Sequence, residues 1–209
     1  MTALAASALY VAVMLALSSG GPSGAGAPGA ARAALGSAAA AADGRLTQRP
    51  PDSWSAAPGE ADPLRPVMEA ASAVGSPWGL GAVLMAAAAA DPEAALDGAR
   101  ALVGAGALTA AHKAVLGRSR PWLQEGPAHL TGPVWADDSR QSLPSGHAAL
   151  SAAVFGALGR AFPRASPLLE AAGVLVALSR VYLGHHWPTD VLASTSLGRW
   201  WAAAARGGA

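Results

Sequence analysis

The sequence predicts an all-α protein, a compact bundle of about five to six helices. Three observations point to it. From about residue 64 onward, apolar stretches of helical length alternate with Gly, Pro and polar punctuation, and no segment shows the strict alternation of a half-buried strand. Alanine, the strongest helix former, dominates these stretches. Of the 209 residues 52% are apolar and only 13% are charged, which suits one core and a tail rather than two domains.

Taken in order, residues 1–18 read as an apolar leader: Ala3 to Leu17 carry no charge, and the small residues Ser18, Ser19, Gly20 and Gly21 follow. This matches the apolar part of a secretory signal or an uncleaved anchor, although no Lys or Arg precedes the run. Residues 19–62 read as an Ala/Gly/Pro-rich linker, with too little side-chain surface to offset the entropy of ordering its backbone. The folded domain is assigned to 63–209, with helices expected at about 64–75, 78–90, 93–116, 146–161, 167–181 and 188–205. Small alanine side chains let these helices approach closely, while seven Trp and scattered Leu and Val fill larger gaps.

A membrane span needs about twenty mainly apolar residues. The runs here are shorter: Trp78 to Ala90 stops at Asp91, Ala101 to Ala111 lies between Arg100 and His112, and Arg199 interrupts the last helix. Such runs favour buried helices of an exported, extracytoplasmic domain, soluble or membrane-anchored. Tilted helices with charged ends leave an integral membrane protein as the alternative. A net charge of +1 gives no polyanion-binding surface, so nucleic acid is not an expected partner. With no cysteine, disulfides, thiolate catalysis and cysteine metal sites are excluded.

Three stretches carry chemistry. Lys113 lies near a helix end that Gly117 can terminate, and a turn through Arg118 to Arg120 and Pro121 brings a second cation back beside it. Alone, the pair reads equally as a complement to the helix dipole. In Pro144-Ser145-Gly146-His147, Ser145 can cap the following helix, Gly146 lets backbone N–H groups approach an anion, and His147 stands where it can protonate a leaving oxygen. Alone, this is also an ordinary capped helix with a surface histidine. In the third stretch Arg180 closes a helix, His186 follows six residues later, and Asp190 in the next first turn can reach back to orient the imidazole for attack on phosphorus. Alone, Asp190 is a dipole partner and His186 a buried polar residue.

Together the three resemble the type 2 phosphatidic acid phosphatase family, which also contains bacterial acid phosphatases and vanadium haloperoxidases. The family pattern is met by Lys113 with Arg120-Pro121, by Pro144 to His147, and by Ser179-Arg180 with His186 and Asp190, over roughly residues 63–205. The resemblance implies a helical bundle with its active site at helix ends. It also implies a phosphatase without metal or other cofactor, in which His186 is transiently phosphorylated, Asp190 orients it, and His147 protonates the leaving alcohol and later activates water. Lys113, Arg120, Ser145, Gly146 and Arg180 would hold the phosphoryl oxygens. The implied partner is a phosphorylated lipid or small molecule, with membrane association.

The expected reaction is hydrolysis of phosphate monoesters or lipid (pyro)phosphates. The alternatives are a vanadate-dependent haloperoxidase and a non-catalytic phosphate- or membrane-binding protein. His112 and His185 adjoin the motifs without matching a signature position, and His129 lies in the intervening loop. That loop, from Trp122 to Leu143, is expected over the mouth of the site.

Overall fold

The structure, a computed structural model, describes Ser37, Ala40, Ala41, Asp43, residues 62–125, Leu130 and residues 132–204. The leader assigned to residues 1–18 and the loop histidine His129 lie outside the described residues. Within residues 62–204 six helices follow in order: α1 Arg65–Val74, α2 Pro77–Ala90, α3 Pro92–Leu116, α4 Gly146–Ala161, α5 Ser166–Tyr182 and α6 Pro188–Ala204. They differ from the expected spans by no more than one residue at either end. Prolines in the first turn start α1, α2, α3 and α5, where a missing N–H costs nothing. Ser76 caps α2 by accepting from the Gly79 N–H at 3.0 Å, and Asp91 caps α3 by accepting from Glu93 and Ala94. Among the described residues no strand forms, only isolated bridges that join Arg118 to Leu130 and to Gln141.

α4 is the axis of the bundle and packs against α3, α5 and α6. Its Val154, Phe155 and Leu158 meet Leu80 and Leu84 of α2, its Ala153 and Ala157 meet Ala101 and Ala105 of α3, and its Ala148 meets Ala177, Val181 and Val191 of α5 and α6. The close approach expected of a small-residue bundle is realised at two crossings. A Cβ on Gly198 of α6 would lie 2.2 Å from the Ala149 carbonyl oxygen of α4, and one on Gly104 of α3 would lie 2.0 Å from the Trp201 ring. Any side chain there forces the helices apart, a change of the overpacking kind that costs about 1–3 kcal/mol.

The order of the helices decides where the chemistry collects. α4 begins on the loop that follows α3, and α6 begins just after α5 ends, so two C-termini and two N-termini meet at one end of the bundle. Lys113 and Arg180 arrive on the C-terminal turns, and His147 and Asp190 on the N-terminal ones. The other surfaces carry unpaired apolar side chains, with Trp78, Met85, Val103, Leu168 and Leu192 all exposed and Trp78 87% so. Among the described residues no single helix is long and apolar enough to cross a membrane; α1 and α2 pass that test only as a pair bent by 65°.

Candidate active site

α3 ends at Gly117, whose φ of 50° is a conformation glycine adopts without strain. The chain then runs back under the helix ends as the buried residues Arg118, Ser119 and Arg120. Backbone bonds from Arg120 N–H to the Ser139 carbonyl and from Ser142 N–H to the Arg118 carbonyl, both 2.9 Å, fasten this strip to the segment leading into α4. Arg120 thereby comes beside Lys113, as the turn in the sequence suggests, and the two cations repel.

Ser145 occupies the N-cap position of α4 but makes no capping bond. The capping expected of it is therefore not its role here. Its N–H donates to Ser194 Oγ of α6 at 2.6 Å, while its fully buried hydroxyl has no hydrogen-bond partner among the described residues. The Nε–H of Arg180 is in the same condition, although its Nη1 donates to Ser72 Oγ. Two buried donors left open at the helix ends that carry the histidines suit an incoming anion, since an unmatched buried donor is otherwise costly. Gly146 opens the α4 first turn, and a Cβ there would meet nothing nearer than Thr109 at 4.0 Å, so room remains beside its backbone.

The third motif is built differently from the direct Asp-to-His contact expected. His186 Nδ1 donates to the backbone carbonyl of Ser142 at 2.7 Å, and the nearest Asp190 oxygen is 3.8 Å away. Asp190 Oδ2 instead accepts from Ser142 Oγ at 2.5 Å and from Trp187 N–H at 2.9 Å, and its Oδ1 accepts from Arg118. Asp190 is thus linked to His186 through Ser142, with its charge acting at longer range. Because a carbonyl only accepts, Nδ1 carries the proton and Nε2 presents its lone pair.

Electrostatics tie the groups together. Burial, then repulsion by Arg120, lowers Lys113 from its ordinary 10.5 to about 8, and the carboxylates of Asp138 and Asp190 oppose this. Burial lowers His147 to about 4, assisted by the charges of Arg180, His186, His185 and Lys113. Arg180 falls to about 10 through burial and Arg120. His186 is lowered by burial against the pull of Asp190. For Asp190, burial pushes upward, but Arg118, the nearby His186 imidazole and the bond from Ser142 prevail and hold it below the ordinary carboxylate range. Lys113, His147, Arg180 and His186 are thus each shifted in part by charges of other motif residues at this end of the bundle.

Several participants have no local signature in the sequence. Asp138 accepts from Arg120 Nη2 at 2.7 Å and, through its carbonyl, from Arg120 Nε at 2.8 Å, so a loop carboxylate holds a guanidinium expected to hold phosphate. Trp122 lies 4.9 Å from the Arg120 guanidinium and packs its ring edge-on to His185, which is itself lowered to about 4, chiefly by burial. These contacts bring part of the loop against Arg120 and His185. His112 bonds back to the Leu108 carbonyl of its own helix. Asp43, within the segment read as a linker, is fully buried against Arg118 and Thr189, where its carboxylate finds compensating donors.

Against known proteins, 91 residues are 31% identical to lipid A 1-phosphatase of Rhizobium johnstonii, covering 43% of this chain and 37% of that protein. Another 91-residue match, 38% identical, is to undecaprenyl-diphosphatase of Sulfolobus acidocaldarius, covering 42% of each. The chain spans about two fifths of the length of these curated relatives. The crystal structure of a transmembrane PAP2 type phosphatidylglycerolphosphate phosphatase from Bacillus subtilis superposes with a TM-score of 0.55 at 20% identity, over 98% of this chain and 94% of that one, a likeness of fold. Residues 95–207, which hold all three motifs and the helix ends that bring them together, match the PAP2 superfamily, and the chain belongs to that family.

Proposed function

We propose that the protein is a phosphatase for lipid phosphates or diphosphates, working through a phosphohistidine on His186 at the extracytoplasmic surface of a membrane. The observation that carries this reading is the pair of buried, unpartnered donors, Ser145 Oγ and Arg180 Nε, beside the mutually coupled Lys113, Arg120, His147 and His186. Lys113, Arg120 and Arg180 hold the non-bridging oxygens together with the Ser145 hydroxyl and the first N–H groups of α4. Nε2 of His186 attacks phosphorus in line with the scissile bond. As that P–O bond breaks, the leaving oxygen takes a proton from His147. Water then attacks phosphorus, His147 takes its proton, and the P–N bond breaks to release phosphate.

His147 is neutral in the empty site at pH 7, having been lowered to about 4. A phosphate ester offsets the surrounding cations, so the imidazolium forms only with substrate in place. This confines the acid to the complex that needs it. A lipid substrate is favoured by the exposed Trp122 at the mouth of the site and by the apolar outer faces of the bundle. It also agrees with the activities named for the relatives.

The test uses the full chain in lipid nanodiscs. Phosphate release is measured from phosphatidic acid, a polyprenyl diphosphate and nitrophenyl phosphate, and acid-labile, base-stable label is trapped from a radioactive substrate. Wild type is expected to hydrolyse a lipid substrate and to trap label, and His186→Ala to lose both. Turnover in His186→Ala equal to wild type would overturn the assignment.

A further inference from the structure

Arg118, 1% exposed, lies between two buried carboxylates. Its Nη1 donates to Asp190 Oδ1 and to Thr189 Oγ1, the latter at 2.8 Å, and its Nη2 donates to Asp43 Oδ2 at 2.6 Å. Asp43 Oδ1 accepts the Thr189 N–H at 2.9 Å, and its Oδ2 accepts the Thr189 hydroxyl at 2.9 Å. Thr189 N–H belongs to the first turn of α6, whose donors have no partner inside the helix. Asp43 therefore does what an N-cap does, from 146 residues away.

The two carboxylates act on one cation from opposite sides. Without Asp43 the guanidinium loses one of the two buried carboxylates that hold it from opposite sides and is drawn toward the other, Asp190. The carboxylate that holds Ser142 Oγ and Trp187 N–H then gives up part of its negative charge to Arg118, while the α6 first turn loses an acceptor. Both changes reach His186, whose Nδ1–H is held by the Ser142 carbonyl.

We propose that Asp43 is a positioning residue of the phosphatase. By fixing Arg118 and the first turn of α6 it sets Asp190, and through Ser142 it sets the direction in which His186 presents Nε2. Asp43 is thus part of the support of the catalytic end. This inference rests on the phosphohistidine reading above, and it adds a residue that none of the three motifs contains.

The full-length chain decides it with Asp43→Asn and Asp43→Ala assayed beside wild type. Asparagine keeps the shape and an oxygen for Thr189 N–H but removes the charge, so it is expected to fold even where alanine does not. For Asp43→Asn kcat falls about 10–100-fold, by analogy with the loss of a carboxylate that orients a metal-ligating histidine. KM stays within about twofold, because the cations that bind phosphate are untouched. A purely structural role would lower thermal stability and active fraction without this split. The second readout is the imidazole ¹⁵N spectrum, in which the His186 Nδ1–H resonance is expected to shift in Asp43→Asn. Wild-type kcat in Asp43→Asn, a loss that vanishes once corrected for folded fraction, or an unchanged His186 resonance would overturn the proposal. Were wild type itself to release no phosphate, the phosphatase reading would fall, and the resonance shift alone would decide whether Asp43 sets His186.

Discussion

Sulfate binding offers a test of the site that needs no turnover. Sulfate is a dianion across the useful pH range and resembles phosphate in shape. Lys113 is depressed from 10.5 to about 8 by burial and by Arg120, a difference worth roughly 3 kcal/mol. A dianion about 4 Å away at an effective dielectric of about 20 contributes roughly 8 kcal/mol of attraction, enough to restore the ordinary value. The sign follows: an anion favours the charged lysine, so binding takes up protons. At pH 9 a lysine titrating near 8 is about nine-tenths neutral when empty and almost fully charged when occupied, an uptake of roughly 0.9 proton. His147 and the neighbouring His185, both lowered to about 4, give a second maximum near pH 5.5, roughly 0.9 proton for each that regains its ordinary 6.5. Near pH 7 Lys113 contributes only about 0.1 proton and His147 about 0.2. Calorimetry in buffers of different ionisation enthalpy measures the uptake directly. Lys113→Met should abolish the maximum at pH 9 and spare the one near 5.5. Sulfate that binds with no proton uptake at either pH would refute the placement of both groups around the anion.

Two further outcomes are expected. His147→Ala should lose about 100- to 10,000-fold in kcat on an alkyl phosphate and far less on nitrophenyl phosphate, whose leaving group needs little proton donation; equal loss on both, measured by steady-state kinetics, would remove the acid role. Asp138→Asn removes the charge that faces Arg120 Nη2 and leaves the carbonyl bond to Nε, so KM should fall about twofold with little change in kcat, the exposed side of the pair limiting its worth to about 1 kcal/mol; an unchanged or raised KM would show that Asp138 does not compete with substrate.

The helices themselves were legible because their causes are local. Alanine-rich runs, Pro in the first turn, and caps such as Ser76 and Asp91 act within four or five residues, so the spans could be placed to within a residue. The motif residues were legible for a related reason: phosphate handling restricts side-chain type and spacing around a helix end. A serine before a helix normally caps it, whereas the Ser145 hydroxyl makes no capping bond because the helix entry leaves it open.

Alone, the sequence determined the class, the helix limits and the chemical inventory, since propensity, capping and motif spacing are properties of neighbours along the chain. Only the tertiary structure decided that His186 leans on the Ser142 carbonyl, that Asp190 is clasped by Arg118, and that Asp43 completes the clasp from a segment with no pattern of its own. Those contacts join residues 44, 72 and 75 positions apart. They exist because close helix crossings such as Gly198 on Ala149 bring four helix ends together and bury charges that must then find partners in space.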